Sequence, residues 1–255
     1  TSVDAGETTR TVTRYLCRAF GFPHVALLLV NRESGRLEGT WTCLSGDDEH
    51  SVAFELPLTG DAGSLARAFW LNRTVVQHAA RRHAAAVLPD GHPLQDVLAA
   101  IQSIACVPLE RSQAAQIPGK PLERCGASCM MGDSFLLAPP PGPAAERWAA
   151  EREERQRHCL SCESMSMLGV LGIAREPQNP PLRSGDVTLI ESIALSIAPM
   201  IENARLTQEL RHSEGFLEHV LNSMASGLAA VNMRGEILAF NRAAETLLGF
   251  AEADV

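Results

Sequence analysis

The sequence has no uninterrupted apolar stretch longer than Val25–Val30. Crossing a bilayer takes about 20 predominantly apolar residues, so no transmembrane segment is expected. Basic charge is not in excess: Lys and Arg total 22 against 30 Asp and Glu, a formal net charge of −8. A duplex nucleic-acid binder needs clustered Lys and Arg to displace phosphate counterions, so no nucleic-acid partner is expected. Cysteine is sparse, seven in 255 residues and an odd number. Secreted disulfide scaffolds are shorter and denser in Cys, so a reducing, cytoplasmic setting is the expectation. No Ser-His-Asp set, phosphate-cradling Gly loop or paired carboxylate motif is visible, and no catalysis is expected within these residues. There is no initiator Met, and Val255 falls inside an apparent domain, so the chain reads as an internal fragment. Hydrophobic residues make up 45%. That share excludes wholesale disorder, and the length suits one or two domains.

Hydrophobic periodicity predicts an α+β chain. Val12, Leu16, Ala19 and Phe20 share one face of a helix over Thr8–Phe20, ended by Gly21 and Pro23. Val25–Asn31, Arg36–Cys43 and Ser51–Leu58 read as strands, the first two joined through Ser34-Gly35. Asp61–Asn72 reads as a helix, Thr74–Gln77 as a short strand, 79–93 as a loop and Leu94–Gln102 as a short helix. Ser103–Glu110 and Met167–Arg175 are strands, the latter with two Gly that allow a helix or ligand to lie close. Between those strands, residues 111–166, 56 in all, exceed any plain hairpin loop and read as an insertion. Within it, Ala144–His158 is helical in composition, with Glu/Arg pairs at i, i+4 that mark a solvated face.

A long helix begins at Asp186. Val187, Ile190, Ala194, Ile197, Ile201 and Ala204 keep alternating three–four spacing, and so do Leu206, Leu210, Ser213, Leu217, Val220 and Met224. The two sets fall out of phase near residue 205, a coiled-coil-like pattern with a break. Burial against the first domain is expected for the first set and a partner helix for the second. Pro199 lacks one backbone donor and predicts a kink there, and Gly215 is a second weak point. Gly227–Asn232 and Glu236–Phe240 then read as two strands around Met233-Arg234-Gly235, and Asn241–Leu248 as a helix.

The cysteines divide into three single residues, Cys17, Cys43 and Cys106, and two close pairs in the pattern Cys125-x3-Cys129-x29-Cys159-x2-Cys162. Residues three or four apart can converge on one ion, and four thiolates suit tetrahedral zinc or an iron–sulfur centre. The insertion is poor in large apolar residues. A metal site worth about 10–16 kcal/mol in small motifs would order it. Structural zinc on Cys125, Cys129, Cys159 and Cys162 is the expected cofactor, an iron–sulfur cluster the alternative. A redox-active dithiol is the rival reading of the pairs. His158 is read as an exposed helix-end histidine favourable to the dipole rather than a ligand.

Two stretches carry family resemblances. Residues 8–110 with 167–206, above all LGVLGIAREPQNPPLRSGDVTLIESIALSIAPMIENAR at 168–205 and SIACVPLE at 103–110, resemble a GAF domain. That resemblance implies a small-molecule sensing module with an antiparallel sheet between helices. Residues 213–255, with Gly227…Val231, Gly235…Ile237 and Asn241-Arg242-Ala243, resemble the opening of a PAS domain. The implied organisation is a GAF-like domain over 1–205 with its insertion at 111–166, a coiled-coil-like linker helix over 206–224, and the first part of a PAS domain over 225–255. This order resembles the input region of a bacterial sensor histidine kinase, part of a two-component system. Less often it belongs to a cyclic-di-nucleotide enzyme or a transcription activator. A homodimer through the 187–224 helix and an output domain beyond Val255 are implied. No kinase phosphoacceptor box is visible, and His212 lacks the Glu-Leu-Arg context of one. The region from Gln178 to Glu191 lacks the Lys and Phe of cyclic-nucleotide-binding GAF members, so the GAF ligand is left open.

Overall fold

A computed structural model describes residues 2–45, 48–58, 63–78, 100–111, 142–162 and 165–250. They form two compact units, Thr1–Glu202 and Asn203–Val255.

The first unit is an α+β fold built on a six-stranded sheet. Its strands are β1 (His24–Asn31), β2 (Arg36–Ser45), β3 (Asp48–Pro57), β4 (Val75–His78), β5 (Ser103–Glu110) and β6 (Met167–Arg175). The order is β3-β2-β1-β6-β5-β4, and every neighbouring pair is antiparallel. Helices flank the sheet: α1 (Ser2–Phe20), α2 (Gly63–Leu71), α3 (Ala144–Ser161) and the start of α4 (Ser184–Ser223).

Side-chain alternation along the strands divides the core in two. Ala26, Leu28, Ile104, Cys106 and Val170 face α2 and the end of α3, where Leu65, Phe69 and Leu160 are buried. Val25, Leu27, Ala105, Val107 and Ile173 face the other way, onto Leu16 and Cys17 of α1 and Ile190, Ala194 and Ile201 of α4. β6 changes phase near its start. Leu109 pairs with Gly169 but Glu110 with Met167. Leu168 is the extra residue of this bulge, which puts it on the α1–α4 side while Met167 stays on the other. The Gly expectation for β6 holds at Gly172, where an added Cβ would come within 2.9 Å of Leu65 on α2.

Two element starts differ from the periodicity by three residues or more. α1 starts at Ser2 rather than Thr8, because its first turns carry no apolar stripe to signal them. β3 starts at Asp48 rather than Ser51. Its polar opening is held by Glu49, which pairs with Arg14 and, at 3.0 Å, with Arg18 of α1. The expected loop at 79–93 and most of the expected helix at 94–102 lie outside the described residues. So do 112–141 and 163–164 of the insertion.

α4 runs through Pro199 without interruption. Its first periodic set is the buried one: Ile190, Ala194 and Ile201 are in the core. Leu206, Leu210, Val220 and Met224 of the second set are exposed. One correction follows. Ser184–Ser213 is long and apolar enough, by length and composition, to cross a membrane. No uninterrupted apolar run marks it, because Ser, Thr and Glu punctuate the helix. The share of that stretch buried within the protein is 28%, and its buried side chains pack on the sheet.

In the second unit, β7 (Ala229–Val231) pairs antiparallel with β8 (Ile237–Phe240), and α5 (Arg242–Leu248) follows. Asn241 organises it and is only 3% exposed. Its Oδ1 accepts the N–H groups of Leu228 at 2.7 Å and Ala244 at 3.0 Å. Its Nδ2 donates to the carbonyls of Leu221 at 2.8 Å and Ser226 at 3.0 Å. One amide thus caps α5 and ties it to the end of α4 and the start of β7.

Candidate metal centre

The second cysteine pair sits at the end of α3. The helix has the solvated face its composition predicts. Glu153 and Arg157 pair at 2.6 Å across one turn, and the Arg152 guanidinium lies 5.2 Å from the Trp148 ring centre. Its buried residues are Gln156 and Leu160. Cys159 is in the last turn, and Cys162 is the C-cap, in extended conformation, its N–H donating to the Cys159 carbonyl at 3.1 Å. Both are half-buried. His158 is exposed, as a helix-end histidine favourable to the dipole should be.

This turn is fastened to the sheet. Arg32, just past β1, donates through Nη2 to the Met165 carbonyl at 2.8 Å and through Nη1 to the Cys162 carbonyl at 3.4 Å. The Met165 N–H donates to the Cys162 carbonyl at 3.2 Å. Leu160 and Met165 on either side are buried in the α2-side core. A groove of about 410 Å³ runs between the β1–β2 turn and α3, lined in part by Arg32, Gly35, Arg157 and Leu160.

Cys125 and Cys129 lie outside the described residues. Among the described residues, no group of three or more His, Cys, Asp or Glu side chains is placed to hold a metal ion. Structural zinc takes four ligands, thiolates among the commonest. Cys159 and Cys162 are donors of the right type for two such positions.

The single cysteines have a different chemistry. Cys17 and Cys106 are fully buried. Burial pushes the Cys17 thiol up to about 12 and the Cys106 thiol higher still. Cys43, half-buried, is also raised, chiefly by burial. These three are protonated packing residues at neutral pH, poor nucleophiles and poor ligands.

The sheet also carries polar inlays that periodicity does not reveal. Thr9 and Thr13 of α1 meet Thr40 and Thr42 of β2, hydroxyl to hydroxyl, at 3.0 and 2.7 Å, and Thr42 continues to Ser51 of β3 at 2.9 Å. Thr suits both strand and helix surfaces, so nothing in its pattern marks a contact. His24 is buried, with Nε2 3.0 Å from Glu176 and Nδ1 unpartnered. Burial lowers its pKa despite the carboxylate. Arg175 forks onto Asp186 at 3.0 and 3.3 Å. Asp186 also accepts the Arg183 N–H at 2.8 Å. That backbone donor first, and the guanidinium after it, hold the Asp186 carboxyl below its usual value.

Residues 215–255 match the PAS fold. The PAS match covers the segment that holds Asn241 and α5. A crystal structure of a far-red cyanobacteriochrome photoreceptor at room temperature aligns over 76% of this chain and 84% of its own, at 12% identity and a TM-score of 0.37. A likeness that slight bears on neither ligand nor activity. No curated protein matches the chain.

Proposed function

We propose that this chain is the sensory and regulatory region of a bacterial signal-transduction protein, in which a GAF-like domain passes a signal along α4 to a PAS domain. The observation that carries this reading is α4 itself. It is one helix of 40 residues, core on the sheet at its start and held by the PAS-type Asn241 near its end. The adjacent antiparallel strands β5 and β6, which carry the GAF resemblance, support the same reading. The exposed Leu206, Leu210, Val220 and Met224 are heptad-spaced and apolar. A second copy of the helix covers such a seam, because identical heptads bury one another. The output is most simply that of a cytoplasmic sensor histidine kinase. A cyclic-di-nucleotide enzyme or a transcription activator is the other output class.

In this reading Cys125, Cys129, Cys159 and Cys162 hold structural zinc, which orders the insertion. Elemental analysis tests it. About one zinc per chain, retained under mild oxidant, is the expected result. Iron with sulfide would turn the module into a redox or oxygen sensor. No metal, with reversible disulfides, would make it a thiol switch. Sedimentation is expected to show a dimer, and a monomer at high concentration would overturn relay through paired helices.

A further inference from the structure

The end of α3 has a problem common to helix C-termini: its last carbonyls have no intrahelical donor. Here the C-cap carbonyl, that of Cys162, is met from outside the helix. The Cys162 carbonyl receives the Met165 N–H at 3.2 Å and the Arg32 guanidinium at 3.4 Å, and the same guanidinium reaches the Met165 carbonyl at 2.8 Å. Arg32 lies four residues before Arg36, the first residue of β2, so this fork originates in the β1–β2 turn. The turn is itself braced. Asn31 Oδ1 accepts the N–H groups of Glu33 at 3.0 Å and Ser34 at 3.2 Å, and Gly35 takes φ +67°. Leu160 lies against that glycine, 3.6 Å from where a Cβ would stand. A second tie holds the far side, where the Arg111 N–H donates to the Ser166 carbonyl at 2.8 Å.

We propose that Arg32 is a positioning residue that fixes the Cys159/Cys162 turn on the sheet before any ion binds. The inference rests on the reading of this pair as metal ligands and goes beyond it by naming what holds the pair in place. A planar fork can span two carbonyls at once, which a lysine ammonium on its flexible stem does not reproduce. Partners that orient a metal's ligands from behind are worth about 10–100-fold in affinity. Arg32 acts on the backbone of the ligand-bearing turn, so its removal lets the two cysteines wander and charges that cost to metal binding.

The test uses the 255-residue protein with Arg32→Gln and Arg32→Lys. Two quantities are measured. One is zinc affinity by competition with a chromophoric chelator. The other is the alkylation rate of Cys159 and Cys162 in metal-free protein, read by peptide mass spectrometry. Arg32→Gln is expected to weaken zinc about 10-fold or more and to speed alkylation of both cysteines, with Arg32→Lys between it and the parent. Buried Cys17 serves as the internal control, since unfolding would expose it as well. If the parent takes up no zinc but Arg32→Gln still frees the pair, the positioning role stands and the metal reading falls. Unchanged alkylation with unchanged zinc affinity overturns the proposal. So does accelerated alkylation that Cys17 shares in the lysine variant.

Discussion

The two halves of α4 have nearly the same hydrophobic rhythm and opposite surroundings. Ile190, Ala194 and Ile201 are buried on the sheet, while Leu206, Leu210 and Val220 are exposed. Rhythm selects the side of the helix that must be covered. What covers it depends on which elements fold back to that side. The first half meets β5 and β6 strands whose Ala105, Val107 and Ile173 point toward it. The second half carries the same chemistry with its apolar side chains exposed.

Three substitutions sharpen or break that contrast. Ile190→Ala should cost about 2–5 kcal/mol in urea unfolding, because it empties a site the surrounding core cannot close. Leu210→Ala should change unfolding of the sheet unit by less than about 0.5 kcal/mol yet shift sedimentation toward monomer. Equal destabilisation by both would show that the second half is covered within its own chain. Asn241→Ala should cost about 1–3 kcal/mol, through loss of a cap and of satisfied buried groups. Faster hydrogen exchange at the Leu228 and Ala244 amides is the readout. No change there would mean that α5 is not held by this amide.

The smallest effect concerns the N-terminal end of α4. Asp186 has a folded pKa below its unfolded one. Its contribution is therefore present above the usual carboxylate range and is lost as pH falls through the folded value. The acid limb of a stability–pH profile should be shallower in Asp186→Asn than in the parent. A superimposable limb would show that the Arg175 and Arg183 contacts do not discriminate the charged form.

Strands were legible where alternation or a continuous apolar run marked them. Ser103–Glu110 and Met167–Arg175 have the bounds that pattern implies. The opening of β3 was not legible, since Asp48, Glu49 and His50 look like a loop until Arg14 and Arg18 supply charge for Glu49. The candidate site divides similarly. Cysteine spacing singles out Cys159 and Cys162, but nothing near position 32 marks an arginine that reaches their turn. The contact joins residues 130 and more positions apart, and local pattern carries no information at that range.

The sequence by itself determined the α+β character, the strand and helix periods, the amide-led start of α5 and the separation of paired from single cysteines. Each follows from local propensity or from spacing along one element. Only the tertiary structure decided that Arg32 fastens the α3 turn and that a threonine ladder joins α1 to β2. Those features depend on which surfaces meet, and burial and hydrogen bonding between distant segments are settled only when the whole sheet is assembled.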